Sequence, residues 1–169
     1  MSDCALCKQL ETKRGLVYED ADVIALLSAT PASAGHVIVA PKQHHVILEQ
    51  VPDGIVSKLF TLANRFSIAL FEVLGVHGTN IVVPNGLPAG QRAPHAAVHI
   101  VPRMEKDNID VNWKPIQPDA DAMGTAELMI RDALNAKEEK PKEDKPAKKE
   151  SFKLSDEENY LIKALKRMP

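Results

Sequence analysis

One long stretch of helical period lies between stretches of strand period, and that order narrows what this chain can fold into. From Pro52 to Gly75, Val56, Leu59, Phe60, Ala63, Phe66, Leu70, Val73 and Leu74 recur every three or four residues, the spacing that puts them on one face of a helix. Pro52 suits a first turn, Asp53 complements the N-terminal end of the helix dipole, and Gly75 suits the stop. The helix is read as packing, without chemistry of its own.

Around it the period is two. Gly15–Glu19 and Asp22–Leu27, separated by Asp20 and Ala21, read as a hairpin. Ser28 to Gly35 is a loop by its Pro, Gly and small polar content, and His36–Pro41 is a third strand ended by proline. Gly78–Pro84 reads as a strand after the helix. Strands on both sides of one long helix, joined by short connections, give an α+β fold with the helix packed on one face of a sheet.

The stretch with most chemistry is His95-Ala96-Ala97-Val98-His99-Ile100-Val101-Pro102-Arg103. As a strand it places His95, Ala97, His99 and Val101 on one face and Ala96, Val98 and Ile100 on the other. Just upstream, Asn85-Gly86-Leu87-Pro88-Ala89-Gly90-Gln91 is a polar turn whose backbone N–H groups could meet an anion. A phosphate-holding loop leading into imidazoles is an arrangement suited to reaction.

Gly90-Gln91 followed by His95-x-x-x-His99-Ile100-Val101-Pro102-Arg103 resembles the histidine triad (HIT) nucleotide-binding family. Gly35-His36-Val37-Ile38-Val39-Ala40-Pro41-Lys42 is similar to a second motif of that family, and the resemblance covers roughly residues 4–115. It implies an antiparallel sheet carrying one long helix, a homodimer, and cleavage at the α-phosphate of nucleoside phosphates, phosphoramidates or dinucleoside polyphosphates through a nucleotidyl-histidine. It places His95, position 97 and His99 at the catalytic centre. The nucleotide, a purine nucleoside monophosphate or dinucleoside polyphosphate, is expected at Ser28, His36, Asn85, Gln91 and His99. Position 28, acidic or amide in relatives, is here Ser28, which hydrogen-bonds but is no carboxylate acceptor. Read by itself, His36 is a structural histidine satisfied by backbone.

Where the resemblance puts the nucleophile, this chain has Ala97. A methyl group has no lone pair and no titratable proton, so the chain should bind nucleotide and barely turn it over; loss of a covalent nucleophile elsewhere costs on the order of a million-fold. Either Ala97 is an engineered truncation or the protein is a natural pseudoenzyme or nucleotide sensor. The retained Asn85, Gln91, His95, His99 and Arg103 favour truncation.

Cys4 and Cys7 are the only cysteines. In a reducing compartment Cys-x-x-Cys reads as half a metal site or a redox pair, and two idle thiols are the plain alternative. The redox reading wants a strand before the motif, for which three residues do not suffice. The resemblance implies a structural zinc site completed by His44 and His95. His45 is read as surface or a second choice of ligand, and His77 carries no function.

A net charge of −2 and 4% aromatic residues weigh against a nucleic-acid partner. The N-terminus has no basic and apolar leader pattern, and no uncharged apolar run is long enough to span a bilayer, so a cytoplasmic protein without a membrane partner is expected. Trp113 should pack its ring on a core or partner surface, and Asp119–Lys137 reads as a second helix. Residues 1–136 are assigned to the HIT-like domain, 137–150 to a charged low-complexity linker, and 151–169 to an amphipathic helix opened by the capping box Ser155–Glu158. That short helix needs something to dock on, a possible protein partner included.

Overall fold

Alternating apolar residues form strands here because each sheet face has its own cover. The computed structural model describes residues 4–138 of the chain, and the linker and C-terminal helix expected over 137–150 and 151–169 lie almost wholly outside them. The elements run α1 (Ala5–Thr12), β1 (Leu16–Glu19), β2 (Val23–Leu27), β3 (Val37–Pro41), α2 (Asp53–Leu74), β4 (Gly78–Val82), β5 (Val98–Arg103) and α3 (Ala120–Glu138). The five strands make one sheet in the order β1-β2-β3-β5-β4, antiparallel at every pairing. The α+β expectation holds, including the hairpin of β1 and β2.

On one face, Val23, Ala25, Val37, Val39, Val98 and Ile100 form a buried core with Leu59, Leu62, Ala63 and Leu70 of α2. Each large side chain so buried contributes about 1.5–3 kcal/mol. Pro52 is the N-cap of α2, Asp53 sits in its first turn, and Gly75 closes it at φ 61° with its N–H on the Phe71 carbonyl. By length and composition α2 is long and apolar enough to cross a membrane, and 22% of that apolar stretch is buried on the sheet. Its other side leaves Phe60, Ile68, Phe71, Val73 and Leu74 exposed, as are Ile81 and Val82 of the edge strand β4.

The opposite face carries the site. Register sets Ile24 against Ala40, Leu26 against Ile38, and Ile38 against His99. Over it lies α1, which sequence reading missed. Cys4 caps this helix, its sulfur accepting the Cys7 N–H at 3.5 Å, and Lys13 ends it in the left-handed region at φ 51°. Cys4 and Leu6 join Ile38, Ala40 and Ala97 in a second buried cluster, with Cys7 and Leu10 packed against it. The missed signal was the four-residue spacing of Leu6 and Leu10, with a cysteine where a hydroxyl or carboxylate cap is usual.

At Gly35 the chain turns with φ +84°, and a Cβ there would come 2.6 Å from Leu74 Cδ1. Gly35→Ala therefore meets both a left-handed backbone and a packed side chain. Denaturant unfolding should show a loss of about 1–3 kcal/mol.

The described residues fall into two units, one ending at Ile109 and one beginning at Asp110. This division lies inside the span 1–136 assigned above to one domain. The second unit holds α3, close to the expected 119–137. Trp113, expected on a core or a partner surface, is 84% exposed within the single chain, and Ile116, Leu128, Met129, Ile130 and Leu134 are exposed too.

Candidate metal centre and histidine pair

The strand expected from His95 begins at Val98, because His95 lies in a bend closed by its own N–H on the Ala93 carbonyl. Alternation survives the change. Ala96, Val98 and Ile100 enter the core under α2, while Ala97 enters the cluster under α1.

Four side chains expected to meet do meet. Sγ of Cys4 and Cys7 and one ring nitrogen each of His44 and His95 all lie within 4.8 Å of one another. Cys7 Sγ is 3.2 Å from His44 Nδ1 and 3.3 Å from His95 Nδ1, and Cys4 Sγ is 3.9 Å from His95 Nδ1. Ligands on a tetrahedral ion with bonds of about 2.0–2.3 Å stand roughly 3.3–3.8 Å apart, so these donors fit one ion. The second contact of His95 fixes its form. Its Nε2 lies 2.9 Å from the Pro41 carbonyl, which only accepts, so Nε2 carries the proton and Nδ1 keeps its lone pair toward the sulfurs. Burial holds the His95 pKa down to about 4, keeping the ring neutral as a ligand must be. Cys4, Cys7, His44 and His95 could therefore bind a metal. His45 stays outside this set, partly buried rather than on the surface, with Nε2 lacking a hydrogen-bond partner.

A second histidine pair lies further along the same face. His36 Nε2 is 3.1 Å from His99 Nδ1, and His36 Nδ1 accepts the Ala32 N–H at 3.1 Å. A backbone amide only donates, so Nδ1 of His36 is unprotonated and its Nε2–H donates to His99 Nδ1. That in turn leaves the His99 proton on Nε2. Burial, with a smaller push from His36, holds His99 at about 4, and burial also lowers His36. Across the physiological range His99 thus offers a fixed N–H donor rather than a cation. The backbone-satisfied reading of His36 is correct as far as it goes, but its other nitrogen orients His99.

The loop over 85–91 differs from expectation. N–H groups of Gly86, Ala89, Gly90 and Gln91 are all bonded inside the protein, Gly86 to Gln91 Oε1 at 2.7 Å. Buried Gln91 also donates to the Val46 and Ala93 carbonyls, at 2.7 and 2.9 Å. Asn85 accepts the Leu48 N–H and donates to Glu49. These amides hold the loop against residues 46–49, and the anion cradle read from its composition is spent on that task. Arg103 forks onto Asp107 at 2.6 and 2.9 Å, fixing the turn after β5 and holding the Asp107 carboxyl far below the usual range. Ser28 sits at the end of β2, its N–H on the His36 carbonyl and its Oγ accepting the Thr30 N–H.

Residues 9–106 match the family model described as the HIT domain. Over 116 residues the chain is 37% identical to an uncharacterised HIT-like protein of Methanocaldococcus jannaschii, covering 68% of this chain and 89% of that protein. It is 34% identical over 108 residues to adenylylsulfatase HINT3 of Arabidopsis thaliana, covering 63% of this chain and 55%, about half, of the plant protein. Among solved structures, a Zn-bound histidine triad family protein from Mycobacterium smegmatis superposes with a TM-score of 0.60 at 27% identity, covering 78% of this chain and 97% of that one.

Proposed function

The chain belongs to the HIT domain family, and on that footing we propose that it binds a nucleoside phosphate at His99 without turning it over through a covalent histidine. The observation that carries this is the relay from the Ala32 amide through His36 to His99. It presents one oriented, neutral N–H donor on the face where Ala97 replaces a nucleophile. A phosphate oxygen is the acceptor such a donor suits. Asn85 and Gln91 serve that site by shaping the loop, and His95 by anchoring the metal centre.

The metal we assign is zinc. Two thiolates and two imidazoles are a set zinc favours, and four protein ligands leave no open position, which makes the site structural. The zinc-bound relative supports this reading. Two cysteines that form no disulfide also suit a reducing, cytoplasmic compartment. A homodimer is proposed from the apolar outer face of α2 continuing onto edge strand β4.

The burial of Ala97 favours a natural binding protein over an engineered truncation. Ala97 is 5% exposed, inside the cluster with Cys4, Leu6, Ile38 and Ala40. A methyl group suits that packing, where an imidazole would need more room.

Titration calorimetry with AMP tests the proposal. Binding is expected, His99→Ala should weaken it about tenfold or more through loss of a hydrogen bond to a charged group, and no AMP should be released from a dinucleoside polyphosphate or phosphoramidate. Absence of AMP binding, or rapid turnover by the chain as it stands, would overturn it.

A further inference from the structure

Ser28, expected above at the nucleotide, lines a cleft of about 510 Å³ whose other residues the proposed function leaves without a role. Lys8, Gln9 and Thr12 of α1 form one wall, Arg14 follows, and Leu27 at the end of β2 with Ser28 just beyond it closes the other side. Two of these side chains are cationic. No lining residue is acidic, Asp and Glu being absent from the cleft among the described residues. The polar groups are sorted in a useful way. Gln9 spends its amide on the Leu27 carbonyl at 3.0 Å, tying α1 to the end of β2, and Thr12 donates to the Gln9 carbonyl. Ser28 Oγ accepts from Thr30, which leaves its own O–H to donate. The cleft therefore presents donors and positive charge, and its composition suits an oxyanion.

Its place matters as much. Ser28 is bonded through its N–H to the His36 carbonyl, and His36 is the residue that orients His99. One molecule could span both. We propose that this cleft holds a second phosphoryl group of the nucleotide ligand, the first being at His99. The inference rests on the nucleotide reading and adds the charge class of the ligand. A carboxylate at position 28 would repel such a group, whereas the Ser28 hydroxyl donates to it.

The second phosphoryl group could stand on the ribose or extend the 5′ chain, and binding measurements separate the two. Full-length protein is titrated with AMP, adenosine 2′,5′-bisphosphate, adenosine 3′,5′-bisphosphate and ADP at physiological salt. At least one of the last three is expected to bind about tenfold or more tightly than AMP, the scale of two partly screened charge-assisted contacts. A gain with a bisphosphate places the group on the ribose, and a gain with ADP alone places it on the chain. Lys8→Gln combined with Arg14→Gln, both on exposed positions, should remove that gain and leave AMP affinity unchanged. AMP bound equally well as all three, or a gain that survives the double substitution, would overturn the subsite while leaving the nucleotide reading intact. No binding of any of the four would overturn both.

Discussion

Stripping the metal with a strong chelator is expected to lower the melting temperature by roughly 10–20 °C, about 3 kcal/mol for a domain of this size. The reason lies in α1. Eight residues are too few to stay helical alone, and this helix has no acidic residue in its first turn. It is held by Cys4 and Cys7 at the metal centre, by Leu6 and Leu10 in the cluster over Ala97, and by Gln9 on the Leu27 carbonyl. Cys4 serves three roles at once, as helix cap, as a side chain that could ligate a metal and as a fully buried member of the cluster. Without the ion, its thiol and the imidazole of His95 remain buried with no shared partner. The helix should then lift, and trypsin should cut at Lys8, Lys13 or Arg14 before it cuts elsewhere in residues 4–109. Cys7→Ser should reproduce both effects, since it removes the ligand nearest both imidazoles. Elemental analysis finding no stoichiometric zinc, together with an unchanged melting temperature in Cys7→Ser, would count against the metal centre.

Period and motif carried the sheet and the long helix because each apolar face there answers to a large, continuous core. Val23, Val37, Val98 and Ile100 could be assigned to one side from alternation alone, and Leu59 and Leu70 from helical spacing. The metal set was legible for another reason: thiolates and imidazoles have few other uses in combination, and a family resemblance supplied the pairing. What the residues did not announce was local competition for hydrogen bonds. Asn85 and Gln91 look like ligand-facing groups by type, yet residues 46–49 lie close enough to take up most of their capacity. His36 looked inert because its backbone partner, Ala32, lies only four residues away, whereas its second partner lies 63 residues off. Long-range pairings of single polar atoms leave no periodic trace. The helix α1 was missed because eight residues cannot build a convincing period, and its anchors are two leucines and two cysteines that could hold a metal rather than a long core stripe.

Ala97→His is expected to raise turnover by several orders of magnitude from near zero, measured as AMP released from a dinucleoside polyphosphate or adenosine phosphoramidate. Covalent nucleophiles carry on the order of a million-fold of rate in enzymes that use them. Here two of the neighbours such a residue needs are already oriented. Position 97 lies on the face that carries His99 and His95, between an imidazole fixed by the Pro41 carbonyl and one fixed through His36. A ring held there with a phosphate at His99 would have much of the positioning advantage built in. Packing sets the obstacle. Ala97 is buried with Leu6, Ile38 and Ala40, and small-to-large changes in such a cluster cost about 1–3 kcal/mol. Leu6→Ala opens space from the α1 side without touching a metal ligand or the His36–His99 pair, so the double variant separates a crowded ring from an unsuitable pocket. Rapid acid or base quenching should trap a nucleotidyl adduct, mapped to residue 97 by mass spectrometry. If both the single and the double variants fold, bind AMP and release none from either substrate class, the pocket is a binding site that adding the missing imidazole does not make catalytic.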